Sequence, residues 1–313
     1  MSGMVTRKRD KIDALAAKAA EADEGGIGLY ADAFRRLVRN PVAIVGAVIV
    51  LLFILLAIFA PLIAPKDPTA RYLIDEIRQN TPLGARDGFP LGTDQEGRDF
   101  LSRLIAGSRQ SLVVGVMATL IGAAAGMVIG GIAGAMGGWV DTVLMRFTDI
   151  LLSVPSLLLA ISIAALAAEP SQWTVITAVA IVSIPIFARL LRGSMLAQRN
   201  TDHVLAARAL GVKERTIVFR HMLPNSLSPV IVQATLTLAT SIIDAAALSF
   251  LGLGDPDPSR AEWGAMLGEA ARVYFEVRPE MTLYPGLAIV LVALGFTLLG
   301  ESLREALDPK NRR

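Results

Sequence analysis

The sequence predicts an all-α, polytopic membrane protein with six transmembrane helices, and three observations carry that prediction. The 313 residues are 53% hydrophobic with a mean hydropathy of +0.55, too apolar for a soluble domain of this length. The apolar residues gather in uncharged runs long enough to cross a bilayer, since about 20 helical residues rising about 1.5 Å each span a core about 30 Å thick. Charged residues, prolines and glycines collect between those runs. Composition also excludes functions. With no cysteine there is no disulfide, no thiolate nucleophile and no zinc finger. Only His203 and His221 offer imidazole chemistry, and no phosphate-binding G-x-x-x-x-G-K-[ST] loop occurs. The net charge of +2 is spread over the connecting segments and not over one face, so nucleic acid is not an expected partner.

Residues 1–40 are polar, with Arg7, Lys8, Arg9, Lys11 and Lys18 ahead of an Ala/Glu/Asp stretch that reads as a short surface helix. A cleaved signal peptide is not expected, because the first apolar run comes too late. Phe34, Arg35, Arg36, Leu37 and Arg39 form a basic amphipathic run before Asn40-Pro41, either a membrane-surface elbow or a plain basic flank. The first transmembrane segment is 41–64, and Val42 to Ala64 carries no charge across 23 residues. Residues 65–110 form an extramembrane loop ending in a helix, with the run L-G-T-D-Q-E-G-R-D-F-L-S-R-L from Leu91.

The expected core, 111–301, holds five more spans. Gln110 to Val140 is uncharged for 31 residues, and Gly122, Gly126, Gly130 and Gly134 recur every fourth residue on one face, where small residues let a second helix approach backbone to backbone. Asp141, Arg146 and Asp149 mark a short turn. The third span runs from Ile150 to Ala168 around Pro155, and the fourth from Pro170 to Ala188 around Pro185, ended by Arg189 and Arg192. A proline inside a span frees a carbonyl and bends the helix, so Pro155 and Pro185 are either bends lining a translocation pathway or structural kinks. Ser226 to Gly254 is the fifth span and holds one ionisable residue, Asp244. A carboxylate there faces the bundle interior, on the pathway or beside an arginine or amide partner. A polar loop from Asp255 to Glu280 follows, with a helix over Met266 to Tyr274 and with Trp263 and Tyr274 as candidate anchors at the membrane interface. Met281 to Gly300 is the sixth span, and 302–313 a charged tail.

Between the fourth and fifth spans, residues 193–225 are polar and basic. Asp202 is expected to cap a short helix through Ala206, Ala207, Arg208 and Ala209. Gly211 then ends it in a left-handed turn, and a second helical stretch from Lys213 to Phe219 is closed by Pro224. Ala206, Ala207, Gly211, Leu223 and Pro224 make a pattern that resembles the coupling loop of membrane subunits of ABC importers, where Leu205 stands in place of a common Glu and leaves no reciprocal capping box. The L-G-T-D-Q-E-G-R-D run, the L-S-F-L-G-L-G run from Leu248 and the Leu303, Arg304, Leu307, Asp308, Pro309 ending are similar to the second permease subunit of the dipeptide, oligopeptide and nickel systems.

That resemblance implies a type I importer transmembrane domain that is not itself an enzyme and binds no metal. It also implies a homologous permease as heterodimeric partner, two ATP-binding subunits carrying the ATP and Mg, and an extracytoplasmic substrate-binding protein. Leu205, Ala206, Ala207, Arg208, Gly211, Lys213, Arg215, Leu223 and Pro224 would dock the ATPase. Placement would be the prokaryotic inner membrane with both termini cytoplasmic. Basic residues agree, since that orientation puts 20 of the 30 Lys and Arg on the inner side. Dipeptide, oligopeptide, nickel, glutathione or another small solute stays open as cargo. An ion-coupled secondary transporter would show inverted repeats and several intramembrane charges, and the chain shows one clear case.

Overall fold

The computed structural model describes residues 34–78 and 81–307. The expected surface helix before residue 34 and the tail after 307 lie outside the described residues. Helix α1, Pro41–Ile63, starts where the Asn40 side chain accepts from the Val42 amide at 2.9 Å, with proline at the first helical position where no amide is needed. The stretch to Asp99 holds one 3-10 turn, Ile74–Glu76, and isolated bridges such as Thr93 with Asp99.

Helix α2 is Phe100–Met136. It begins ten residues before the expected span because Asp99 caps it, accepting from the Ser102 amide at 2.8 Å. Its 37 residues make it about 55 Å long, so it projects beyond a bilayer core of about 30 Å. It stops at Gly137 and Gly138, with φ of +64° and +59°, a left-handed pair that only glycine adopts freely.

The expected third span is not one helix. Helix α3, Gly138–Ser153, and helix α4, Ser156–Ala165, meet at a 93° bend. Pro155 lacks an amide and forces Val154 out of the helical region, to φ −93° and ψ 133°. Asp141, Arg146 and Asp149, expected in a turn, lie inside α3. Helix α5, Gln172–Gln198, runs on past Ala188. Arg189 and Arg192 do not end it, because Asp149 at 2.7 Å and Asp141 neutralise them from α3.

After two short helices, α6 Asp202–Ala209 and α7 Glu214–Ile217, come α8 Leu227–Phe250, α9 Trp263–Val273 and α10 Glu280–Leu307. The last runs seven residues beyond Gly300. Among the described residues five helices are long and apolar enough to cross a membrane, six crossings if the bent pair counts as one.

The four-residue glycine repeat of α2 lies against α5. A Cβ on Gly122 would stand 2.8 Å from the Ala180 carbonyl oxygen, on Gly126 2.5 Å from that of Ile184, and on Gly130 2.2 Å from that of Ala188. Gly134 meets the Met195 side chain at 3.0 Å. At Gly122, Gly126 and Gly130 the space a Cβ would need is taken by α5 backbone carbonyls and, at Gly122, by the Ser183 hydroxyl, so only glycine permits this approach. Helix α5 is accordingly the innermost span and α1 the outermost, with 61% and 22% of their apolar windows buried.

Trp263 and Tyr274 are not lipid anchors. They are 1% and 2% exposed, in a core with Phe53, Phe100, Met281 and Phe296. The Trp263 indole donates to the Leu104 carbonyl at 2.9 Å and meets Phe53 edge to face at 5.5 Å. A buried indole needs such a partner, and finding it inside holds α9 onto α2.

Candidate functional site: a glycine-broken hairpin and an ionic brace

The hairpin between α5 and α8 has two faces. Thr201 precedes α6 in an extended conformation and makes no side-chain cap, so Asp202 is the first helical residue and not the cap. Its carboxylate still favours the helix through the dipole. The stop is a Schellman motif: the Gly211 amide donates to Arg208 at 2.9 Å and the Val212 amide to Ala207 at 3.1 Å. Gly211 has φ +76° and nothing within 4 Å of where a Cβ would stand, so conformation and not crowding demands glycine there.

On the inner face Val204, Ala207, Ile217 and Met222 are buried against Phe187, Leu191, Met195 and Val230. Ala207, expected on the docking surface, is therefore a packing residue, and Leu223 packs half-buried beside it. The outer face exposes Leu205, Ala206, Gly211, Lys213 and Arg215, together with Leu210 at 83% and Phe219 at 61%. These last two the sequence reading passed over. Large apolar side chains in a polar loop, one directly before the glycine stop, were the available signal. Arg208 forks onto Glu214 at 2.6 and 3.3 Å and reaches the Arg199 carbonyl at 3.1 Å. It ties the two arms together, and its hydrogen bond holds the Glu214 carboxyl below the usual range.

Pro224 does not close the second arm. After α7 the chain widens into a π turn over Val218–Met222, where the Leu223 amide donates to Val218 five residues back. The helix then passes through Leu223–Asn225 almost directly into α8. The wider turn accommodates a proline that has no amide and whose ring crowds the carbonyl four residues back. The hairpin is thus joined to α8 by nearly continuous helix.

Asp244 is half-buried on α8 and, among the described residues, has no ion pair or hydrogen bond. It shares a face with Gln233, Thr237 and Thr240, spaced four, three and four apart, and Gln233 donates to Thr237 at 3.1 Å. Pro185 is buried inside α5, so it lines no open space, whereas Pro155 is exposed at the bend.

The L-G-T-D-Q-E-G-R-D run folds into a buried ionic brace at the opposite end of the bundle. Asp94 accepts from the Arg98 side chain at 2.6 Å and lies 3.2 Å from Arg103. Arg98 and Arg103 also both donate to the Pro258 carbonyl, at 2.6 and 3.1 Å. Gln95 donates to Glu269 of α9 at 2.6 Å. Burial, then the Asp94 charge, pushes the Glu269 carboxyl up. Spacing alone gave no role to these residues, because the partners that tie them to the bundle, Pro258 and Glu269, lie 155 to 174 positions away.

The family described as "Binding-protein-dependent transport system inner membrane component" matches residues 126–313, and the N-terminal TM domain of oligopeptide transport permease C matches residues 28–82. A dipeptide transport system permease protein, DppC, of Alkalihalophilus pseudofirmus is 44% identical over 90% of this chain and 90% of its own. Glutathione transport system permease proteins, GsiD, of Pectobacterium atrosepticum and Escherichia coli are 41% and 46% identical over 88% of this chain, covering 90% and 89% of theirs. A solved inward-facing structure of the MetNI methionine ABC transporter matches with a TM-score of 0.55 at 17% identity, covering 66% of this chain and 96% of that one. At that identity the likeness is one of fold.

Proposed function

Since the chain belongs to the family of binding-protein-dependent transport system inner membrane components, we propose that it forms half of the translocation pathway of an ATP-driven importer for di- or oligopeptides. The other half is a homologous permease, and two cytoplasmic subunits bind ATP and Mg. An extracytoplasmic binding protein delivers the solute, and both termini of this chain lie in the cytoplasm of a prokaryotic cell.

The observation that carries the reading is the hairpin's split character. Its inner face is fixed to α5 and its second arm runs into α8, while Leu205, Leu210 and Phe219 stand in water. A solvated apolar edge of this kind is what a partner groove buries. Closure of the ATPase pair around ATP favours one arrangement of the membrane helices only through a differential interaction. A hairpin rigidly joined to α8 supplies it, and α8 carries the Asp244 face. Rocking of α8 then opens that face to one side or the other. Glutathione is the second reading, favoured by relatives 41–46% identical; it too is a small peptide with an ammonium group.

The test is ATP hydrolysis and uptake, measured together in proteoliposomes, by the assembled importer carrying wild type or Gly211→Val. A β-branched residue at φ +76° costs of order 1–3 kcal/mol of strain and distorts the turn between Leu210 and Val212. The expected outcome is loss of coupling between ATP hydrolysis and uptake in proteoliposomes. Unchanged uptake by the variant would remove the docking role.

A further inference from the structure

Two basic residues at the end of the bundle opposite the hairpin, Lys66 and Arg109, have no task in the account above. In the orientation that the basic residues favour, both fall with Arg103 on the outer side. Arg103 is explained by Asp94 and Pro258. Arg109 is exposed on α2, and among the described residues it has no carboxylate partner.

It lies where two cavities between α1 and α2 meet. One, about 670 Å³, is lined by Ala60, Pro61, Lys66, Asp67, Tyr72 and Arg109, among others. The other, about 490 Å³, is lined by Ile54, Ala57, Ile58, Leu112, Val113 and Met117, again with Arg109. The Lys66 ammonium stands over the rings of Tyr72 and Phe89, at 5.1 and 4.5 Å, and has no carboxylate partner among the described residues. Asp67, the one acid in the upper cavity, is turned onto the Thr69 amide and hydroxyl at 2.8 and 2.6 Å. From Ile63, the last residue of α1, down to Ile54 the helical wall of the groove is about 14 Å deep, close to one leaflet's share of a core about 30 Å thick.

We propose that this groove binds an anionic phospholipid, with the headgroup phosphate between Lys66 and Arg109 and an acyl chain along Ala57, Leu112 and Val113. Two cations above an uncharged slot are complementary to an anionic headgroup carrying a hydrocarbon tail in sign of charge, in depth and in order. The site stands at the end of α2 opposite the coupling hairpin. It rests on the chain's place in the membrane and is independent of the cargo.

The test uses the intact importer complex in micelles doped with equal dioleoylphosphatidylglycerol and dioleoylphosphatidylcholine, with bound lipid counted by native mass spectrometry. Wild type is expected to retain phosphatidylglycerol selectively. The double variant Lys66→Gln, Arg109→Gln should retain about tenfold less, with complex assembly and thermal midpoint unchanged, and Arg109→Lys should retain most of it. Inorganic phosphate at millimolar levels should not displace the lipid. A photoreactive residue at position 113 should label an acyl chain. Equal retention by the double variant, equal binding of phosphatidylcholine, displacement by phosphate, or labelling of a protein subunit from position 113 would each overturn the proposal.

Discussion

Replacing Gly130 by alanine tests the contact that organises the bundle, and its neighbour Gly131 supplies the control. At Gly130 a Cβ would stand 2.2 Å from the Ala188 carbonyl oxygen and 2.9 Å from its carbonyl and α carbons. All three are backbone atoms, so no rotamer change relieves the clash. Carbon contacts are comfortable near about 3.5–4.0 Å, so α2 and α5 must part by about 1 Å, and overpacking of this kind costs about 1–3 kcal/mol. At Gly131 the nearest atom is a Leu191 methyl at 3.8 Å, an ordinary contact. Both substitutions gain the same helix preference, about 1 kcal/mol for Ala over Gly. The difference between them therefore isolates the steric term, at about 3 kcal/mol if the clash takes the upper end of its range. Intrinsic tryptophan fluorescence of the detergent-solubilised complex during heating should place Gly131→Ala at or above wild type and Gly130→Ala well below. A Gly130→Ala midpoint equal to or above that of Gly131→Ala would refute the close-packed interface.

Three further outcomes follow. Arg98→Ala leaves Asp94 with Arg103 as its remaining cation, in a site where the Asp94 and Arg98 side chains are at most 3% exposed; the cost falls at the lower end of the about 3–5 kcal/mol for breaking a buried pair, and limited proteolysis should show the 65–99 loop released. Glu269→Gln keeps an acceptor for Gln95 and should flatten the pH dependence of stability. Because the folded carboxyl titrates above its ordinary value near 4.5, wild type is most stable below that value and loses the contribution as pH rises through the folded one, so a thermal midpoint series from pH 4 upward should slope down for wild type and not for the variant. Asp244→Asn should cut uptake of dipeptides with a free amino terminus while leaving ATPase docking intact; unchanged uptake in proteoliposomes would take Asp244 off the pathway.

Uncharged run length is a direct physical signal, and it located the five long apolar helices but not the bent pair that stands where a single third span was expected. The glycine stop at 211 was legible for a similar reason, since a left-handed residue after a short helix leaves few choices. Charges misled where they pair through space. Arg189 and Arg192 read as a helix end, and Asp141 and Asp149 as a turn, because each pair is excluded from a membrane helix alone yet tolerated when the other lies alongside. Pro155 announced a break, but a proline alone does not specify the 93° angle between α3 and α4. Trp263 has the amphipathic form of an interface anchor, and only the Leu104 carbonyl 159 residues away shows it serving inside.

The brace around Asp94 also sets an order of maturation as the polypeptide leaves the ribosome. Arg98 and Arg103 leave the ribosome about 160 residues before the Pro258 oxygen that receives both. During that interval the two guanidinium groups lack this acceptor, and the 65–99 loop stays unlatched. Completion of the segment after α8 is thus the event that fastens the loop to the bundle, and a chain cut short before it would leave that loop open to proteolysis.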